Sequence, residues 1–365
     1  MNIVVITCPF GALPPDAIGA VEKLFYLLAL EWKKMDHRVT FVCAGGGDAD
    51  GIEFVRLKKY KRTGSTKKDL IWDFMYSIKA LWKCPKTDIL LCNTFWTPCL
   101  APLFRWKYKR LVYGVHRYPK GQFFLYPFVH LFICVSTVVA DALCQELHGS
   151  KRVSRINNPI DTKVFSSRDT LPKGKRVIIA YAGRIHPEKG LEILFSACEL
   201  IARKMEIELR VFGVSSIEEG GGGERYINDL LSLSPTVKVS FAGALRTPEE
   251  LSRRLSECTM FVYPSKAVKG ETFGVAPLEA MSLGLPTILS DLPCFGDYAQ
   301  NQFNCIQFQL GKNEVEECRQ AIERICCDLN FRKYIADNAR GTAQNFSVGQ
   351  IAAEYICAFM KCLNK

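Results

Sequence analysis

Short apolar runs recur along the chain and are separated by longer segments in which apolar residues follow a helical period. Such runs are typical of strands in parallel sheets, because helices cover both faces of these strands. Strands are predicted at residues 3–6, 39–42, 88–91, 111–116, 131–135, 177–181, 209–213, 237–243, 260–263 and 287–289. Together with the helical segments between them, they predict an α/β fold.

The length of 365 residues favours two domains, because a single hydrophobic core seldom serves a chain of this size. The first domain is predicted at residues 1–165 and the second at 175–345. A segment at 166–174, rich in Ser, Pro, Gly and charge, is predicted to link them. An amphipathic helix is predicted near the end of the chain, at 351–363.

The apolar run over residues 123–140 is the one candidate for a membrane-spanning helix. Pro127 and His130 interrupt it, and a spanning helix needs about 20 predominantly apolar residues. We therefore predict a short aromatic helix, a buried strand and a helix capped by Ser136. The aromatic residues at 123–128 remain a candidate for contact with lipid.

The chain begins with a strand-like run and no basic leader, so no signal peptide is expected. Its 16 cysteines show no metal-binding spacing. We predict reduced, mostly buried thiols in a cytosolic protein, and we do not expect zinc.

The net charge of +11 is confined to the first half of the chain. Residues 1–170 hold 25 Lys and Arg against 14 Asp and Glu, whereas residues 171–365 hold 23 of each. The densest cluster consists of Arg56, Lys58, Lys59, Lys61, Arg62, Lys67 and Lys68. It is either a solvated face or a surface for an anionic membrane, an anionic acceptor or nucleic acid. Neighbouring aromatic residues favour a membrane.

The segment from Glu271 to Gly284 follows a predicted strand and precedes another. Pro277 suits the first turn of a helix, and Gly284 suits the left-handed residue that ends it. We therefore predict Glu271 in the loop and Glu279 in the first turn. Open N–H groups at a helix start favour an anion, and carboxylates accept hydrogen bonds from hydroxyls. A phosphate joined to sugars fits both, although Glu is also common at ordinary helix starts.

A second motif follows the predicted strand at 177–181 and runs from Gly183 to Gly190. It contains Arg184 and Lys189. Arg offers a fork of donors and Lys a point charge, and both suit phosphate.

Both motifs resemble those of the retaining, family-four glycosyltransferases, in which a Glu, seven residues and a second Glu mark the donor site. The segments in register are Pro264-Ser265, Glu271, Phe273-Gly274, Glu279-Ala-Met281 and Gly284-Leu-Pro286. The resemblance implies the GT-B fold, two doubly wound Rossmann-like domains facing a cleft. It also implies that residues 346–365 cross back onto the first domain.

The resemblance assigns roles to individual residues. Arg184 and Lys189 would clamp the donor diphosphate. Glu271 would accept from the donor sugar hydroxyls, and Glu279 from the ribose. His116, at a strand end, would line the donor pocket. The other donor-binding residues implied are Gly19, Ala244, Leu245, Phe273, Gly274 and Val275.

Asp48 and Asp50 form an Asp-x-Asp pair, the metal signature of another glycosyltransferase architecture. Here the pair lies in a Gly-rich turn, so a metal role is not expected. We expect no metal and no cofactor, with the nucleoside diphosphate sugar as co-substrate.

The sequence thus predicts a retaining, metal-independent glycosyltransferase that uses a UDP- or GDP-linked sugar. The expected acceptor is lipid-linked or a polysaccharide, at the cytoplasmic face of a membrane. Two alternatives stay open. The chain could be a silent sugar-nucleotide-binding subunit of a membrane synthase, or a basic nucleic-acid-binding protein, although no nucleic-acid motif is present.

Overall fold

A computed structural model describes residues 1–11, 13, 20–45, 51–149, 152–166, 176–245 and 247–365. The chain divides into two compact units. The first unit comprises Met1–Pro159 and Val348–Lys365, and the second comprises Ile160–Ser347. The sequence predicts these boundaries at residues 165 and 346. The predicted linker, apart from residue 166, lies outside the described residues.

Two parallel sheets form the cores of the units. In the first unit the order is β3-β2-β1-β4-β5-β6-β7, and in the second it is β10-β9-β8-β11-β12-β13. The strands are β1 Asn2–Ile6, β2 Arg38–Ala44, β3 Glu53–Leu57, β4 Thr87–Cys92, β5 Tyr108–Val115, β6 Leu131–Cys134, β7 Val153–Arg155, β8 Val177–Ala182, β9 Ile207–Phe212, β10 Lys238–Phe241, β11 Met260–Tyr263, β12 Thr287–Ser290 and β13 Ile306–Phe308.

Helices connect most of these strands. They are α1 Ala20–Lys34, α2 Thr66–Lys83, α3 Thr97–Leu100, α4 Thr137–Glu146, α5 Leu191–Ala202, α6 Gly223–Leu233, α7 Pro248–Ser256, α8 Val275–Ser282, α9 Glu314–Cys327, α10 Leu329–Gln344 and α11 Val348–Leu363. Short 3-10 helices include Ala101–Lys107, Phe123–Leu125 and Pro187–Lys189.

Both sheets are doubly wound. In each, the first strand of the unit lies between the second and the fourth, so the strand order reverses beside it. This reversal falls between β1 and β4 in the first unit and between β8 and β11 in the second. All four residues of β11 are buried, which explains why its sequence is continuously apolar. The predicted fold class, two Rossmann-like α/β domains, is confirmed.

The last helix, α11, belongs to the first unit and packs on α1. Trp32 Nε1 donates to the carbonyl of Ala352 at 3.1 Å, and its ring lies 5.7 Å from that of Tyr355. Arg110 Nε donates to the carbonyl of Cys362 at 2.8 Å. The two ends of the second unit are joined by a hydrogen bond, in which the Ile160 amide donates to the carbonyl of Phe346 at 2.9 Å.

Helix α2 buries one face and leaves much of its apolar surface exposed. Its buried residues are Asp73, Tyr76, Ser77, Ala80 and Leu81. Its exposed large apolar residues are Ile71, Phe74, Met75, Ile78 and Trp82. Periodicity identifies a helix but does not state which face a sheet will cover.

The apolar run at 123–140 divides as predicted, into the 3-10 helix Phe123–Leu125, strand β6 and helix α4. Ser136 caps α4, since its hydroxyl accepts from the Val139 amide at 3.4 Å. Among the described residues, no helix has the length and apolar character required to cross a membrane. All 16 cysteines are free thiols, and most are buried.

Candidate functional site

Two loops of the second unit meet where its sheet reverses. The first follows β8 and leads through Pro187–Lys189 into α5, and the second follows β11 and leads into α8. The strands β8 and β11 are neighbours, with Phe261 opposite Ala180. Connections leave such a reversal point toward opposite faces of the sheet, which opens a crevice at the carboxyl ends of the strands. Both predicted motifs therefore lie at one position.

Gly190 permits the close approach of the two loops. Its φ of 65° is in the left-handed region, and a Cβ at this position would stand 2.1 Å from the carbonyl oxygen of Pro264. The Lys266 amide also donates to the carbonyl of Glu188 at 2.9 Å. Only glycine satisfies both the backbone angle and the space.

Lys189 and Glu271 form an ion pair between the two loops, with Nζ 2.7 Å from Oε2. The hydroxyl of Tyr263 donates to the same Oε2 at 2.8 Å. The side chains of Lys189 and Glu271 are only 8% and 12% exposed. Burial, together with the nearby Glu271 carboxylate, raises the pKa of Tyr263, so its hydroxyl remains a donor.

Arg184 lies at the more open end of this group and is 43% exposed. Its Nη1 donates to the carbonyl of Gly220 at 2.8 Å, and its Nη2 pairs with Glu188. The hydroxyl of Tyr181 donates to the Arg184 carbonyl at 2.9 Å. These contacts hold the guanidinium over the loop that follows β8.

Helix α8 begins at Val275, with Gly274 as its N-cap at a φ of 79°. A Cβ on Gly274 would stand 2.5 Å from the ring of Phe295. The hydroxyl of Tyr298 donates to the Gly274 carbonyl at 2.9 Å. The first N–H groups of a helix have no partner within it, so this turn offers main-chain donors at the end of the loop that carries Glu271.

The prediction that Glu279 lies in the first turn of its helix is wrong. Glu279 is in the second turn of α8, because the helix begins before Pro277, at Val275. The side chain of Phe273 is buried, with its ring 5.4 Å from that of Tyr298, so it offers a ligand only its main chain.

The residues predicted to meet a nucleoside base follow β10. Ala244 is exposed and Leu245 is half-buried. The adjoining turn is fixed where the Gly213 amide donates to the carbonyl of Gly243 at 2.8 Å. Gly19, predicted to lie near the donor, and the rejected metal pair Asp48 and Asp50 lie outside the described residues.

His116 directly follows β5 in the first unit. Its ring meets the ring of Phe25 edge-on, with centroids 5.1 Å apart. Burial, assisted by the charge of Arg117, lowers the pKa of His116 to about 4, against a smaller opposing effect of a hydrogen bond with Asn158. The imidazole is therefore neutral at pH 7.

Sequence reasoning missed three polar residues at strand ends. Tyr263 ends β11 and donates to Glu271. Asn93 and Thr94 follow β4, and within the described part of the chain the buried Oδ1 of Asn93 and Oγ1 of Thr94 have no hydrogen-bond partner. Their position directly at the carboxyl ends of strands could have identified them in the sequence, because ligands of doubly wound sheets bind there.

The seven cations of the basic cluster at 56–68 are all solvent-exposed and extend from the end of β3 to the first turn of α2 in the first unit. Over the residues with described positions, no group of three or more His, Cys, Asp or Glu side chains is arranged to hold a metal ion.

Comparison with known proteins identifies the family. The model for Glycosyltransferase Family 4 matches residues 21–164, and that for Glycosyl transferases group 1 matches residues 163–342. An uncharacterized glycosyltransferase of Methanocaldococcus jannaschii is 26% identical over 55% of this chain and 49% of its own length. Sulfoquinovosyl transferase SQD2 of Arabidopsis thaliana is 28% identical over 47% of this chain and 31% of its own. These matches span less than half the length of either relative.

Solved structures share the fold over nearly the whole chain. Sucrose-phosphate synthase from Thermosynechococcus elongatus superposes with a TM-score of 0.80 at 17% identity, covering 99% of this chain and 98% of that one. Anabaena HepE in complex with UDP and glucose superposes with a TM-score of 0.76 at 18% identity, covering 98% of this chain and 99% of that one. Two family models, which together run from residue 21 to residue 342, and two doubly wound units establish that the chain belongs to the group 1, family 4 glycosyltransferases and has the GT-B fold.

Proposed function

We propose that this glycosyltransferase takes its sugar from a nucleoside diphosphate sugar bound at the crevice between β8 and β11. The observation that carries the proposal is the contact of Lys189 with Glu271, which joins a phosphate-binding side chain to a hydroxyl-binding one. The Anabaena protein, whose fold is shared, was solved with UDP and with UDP-glucose, which supports a UDP-linked donor.

Arg184 and Lys189 bind the diphosphate in this proposal. Each is paired with a carboxylate, Glu188 or Glu271, so the diphosphate competes with those partners for the two cations. The N–H groups at the start of α8, beside Gly274, add donors to the same anion. Charge-assisted hydrogen bonds of this kind stabilise negative charge as it develops on the leaving group.

The other donor contacts follow from the polar groups at the loop ends. Glu271 accepts from hydroxyls of the donor sugar, and Glu279 accepts from those of the ribose. Main-chain groups of Ala244 and Leu245 read the base.

We further propose that transfer retains the anomeric configuration. The acceptor oxygen bonds to the anomeric carbon on the face from which the diphosphate leaves, as the bond from that carbon to the phosphate oxygen breaks. The proton of the acceptor hydroxyl passes to the departing phosphate. No enzyme carboxylate acts as a nucleophile in this proposal. Arg184 and Lys189 neutralise the departing diphosphate in place of a metal ion.

The proposed acceptor is lipid-linked or a polysaccharide, and the enzyme acts at the cytoplasmic face of a membrane. The exposed basic cluster at 56–68 supports this proposal, because anionic lipid attracts clustered Lys and Arg near its surface.

A thermal-shift panel of UDP, GDP, ADP and their sugar conjugates tests the donor site, first with EDTA and then with magnesium. A ligand at a hundred times its dissociation constant adds about 2.7 kcal/mol of stability. We expect a metal-independent increase in melting temperature with one base. Slow hydrolysis of the matching sugar nucleotide, without acceptor, should accompany it.

The matched control compares Lys189→Ala with Lys204→Ala. Lys204 is an exposed lysine of the same unit, paired with Glu323. The first variant should lose the ligand-induced shift and the second should keep it. A shift that needs magnesium contradicts the metal-free step, and no shift with any nucleotide contradicts the donor site.

A further inference from the structure

Helix α2 carries an exposed apolar stripe on the first unit. The stripe consists of Ile71, Phe74, Met75, Ile78 and Trp82. These five side chains fall within an arc of about 100°, because an α-helix has about 3.6 residues per turn. The opposite face of α2 is buried, where the hydroxyl of Tyr76 donates to the carbonyl of Val42 at 3.3 Å.

Positive charge borders this stripe. Lys68, Lys79 and Lys83 follow one edge of it, and all three are exposed. The two acidic residues of α2 accept hydrogen bonds from main-chain amides. Asp73 is buried and accepts from the Trp96 amide at 2.9 Å, and Asp69 accepts from the Thr63 amide at 2.9 Å.

The apolar surface continues from α2 onto the 3-10 helix Ala101–Lys107. The ring of Trp82 meets that of Phe104, with centroids 6.5 Å apart, and Phe104 meets Trp106 at 5.6 Å. Leu103 and Trp106 are both exposed. Lys107 Nζ donates to the carbonyl of Cys84 at 2.8 Å, which fixes this helix against the end of α2.

Arg105, between Phe104 and Trp106, lines a cavity of about 650 Å³. Arg110 and Arg152 also line it, and no Asp or Glu side chain is among its described lining residues. The pKa of His130 in this cavity is lowered by burial and then by these three arginines, as expected of a positive local potential.

These features together indicate which kind of partner binds the surface. An apolar helical face with tryptophan, bordered by lysine and followed by a basic cavity, matches the helices that lie in the plane of a membrane interface. Lysine stems cover apolar surface while their ammonium groups reach the lipid headgroups. A protein partner would have to be both apolar and acidic over the same area.

We propose that α2 docks the first unit on an anionic phospholipid surface, with the stripe of Ile71, Phe74, Met75, Ile78 and Trp82 inserted among the acyl chains. Leu103 and Trp106 extend the inserted edge, and the lysines and the arginine-lined cavity contact headgroup phosphates. This inference builds on the proposed acceptor at a membrane, and a vesicle assay separates the two because it requires neither donor nor turnover.

The test is co-sedimentation of the full chain with vesicles of phosphatidylcholine, with and without phosphatidylglycerol. Wild type should bind the anionic vesicles. The double variant Ile71→Gln, Trp82→Gln should bind them roughly tenfold more weakly or worse, because buried apolar area drives interfacial binding. Its melting temperature should change little, since both side chains are exposed.

The matched control is Ile217→Gln, Leu329→Gln. These two side chains are 76% and 67% exposed, against 59% and 71% for Ile71 and Trp82, and they lie in the second unit. The control should bind as wild type does. Equal losses in the two variants, or no binding of wild type to anionic vesicles, overturns the proposal.

Brominated lipid provides a second measurement. It should quench the tryptophan fluorescence of wild type but much less that of Trp82→Phe, Trp106→Phe, because Trp32 is in the core and the remaining tryptophans are half-buried. Persistent quenching in this variant overturns the assignment. A wild type that forms dimers and ignores vesicles, with the Ile71 and Trp82 variant monomeric, also overturns it and assigns the stripe to a protein interface.

Discussion

Lys189 Nζ lies 2.7 Å from Glu271 Oε2, although 82 positions separate the two residues in the sequence. Tyr263 donates to the same carboxylate oxygen. A largely buried cation is thereby held by a carboxylate that belongs to a different loop. In the proposed reaction, this pair must divide its interactions between the diphosphate and the sugar.

Glu271→Gln should separate these two interactions. The amide keeps the shape of the carboxylate but leaves the charge of Lys189 uncompensated, so the preferred nucleoside diphosphate should bind a few-fold more tightly. Transfer should fall roughly tenfold or more, because a weaker acceptor faces the sugar hydroxyls. Calorimetric affinities and initial rates measure the two effects.

Glu192→Gln is the control for Glu271→Gln. Glu192 pairs with Lys266, and both side chains are about a third exposed. It should leave nucleotide affinity and rate close to those of wild type. Equal weakening of diphosphate and sugar nucleotide by Glu271→Gln would contradict the division of roles.

Arg184→Ala should reduce transfer roughly tenfold to a hundredfold or more. It removes one or two charge-assisted hydrogen bonds, worth about 1.5 to 3 kcal/mol each. Arg253→Ala is the comparison, since Arg253 on α7 is 50% exposed and pairs with Glu257, the residue that follows this helix. The ratio kcat/KM for the donor is the quantity to measure. Near-normal turnover of Arg184→Ala would contradict the assignment of Arg184 to the diphosphate.

Gly190→Ala should destabilise the second unit by more than about 2 kcal/mol, because a left-handed backbone angle alone costs an L-residue about 1 to 2 kcal/mol. The added Cβ would also meet the Pro264 carbonyl. Gly341→Ala, in the last turn of α10 with nothing within 4 Å of the added Cβ, should instead be neutral or stabilising. Chemical denaturation compares the two. Similar stabilities would show that the loops do not need their close approach.

His116 should contribute to stability in a pH-dependent way. Its folded pKa of about 4 lies below the ordinary value of 6.5. The folded state therefore favours the neutral ring, and this contribution is complete above about pH 6.5 and is lost as the pH falls toward 4.

The difference in melting temperature between wild type and His116→Gln should thus shrink between pH 7 and pH 4.5. The exposed His148 supplies the comparison. His148→Gln should show no such trend, and a difference for His116→Gln that stays constant with pH would contradict a buried neutral ring.

Local features of the chain were predictable from the sequence. Ten of the strands, the capping of α4 by Ser136 and the loop that carries Arg184 and Lys189 each follow from the residue types in a short window. The edge strands β3, β7 and β13 were not predicted. The resemblance across Glu271 to Pro286 identified the family, because that motif is contiguous in the sequence.

Tertiary structure decided what short windows cannot encode. The strand order places the loop after β8 beside the loop after β11, and this brings Lys189 to Glu271. Tertiary packing also decides which face of a helix is covered. On α2 the apolar stripe is exposed, whereas Tyr76 and Ala80 are buried. The physical reason is that periodicity reports a local backbone conformation, whereas burial depends on non-local contacts.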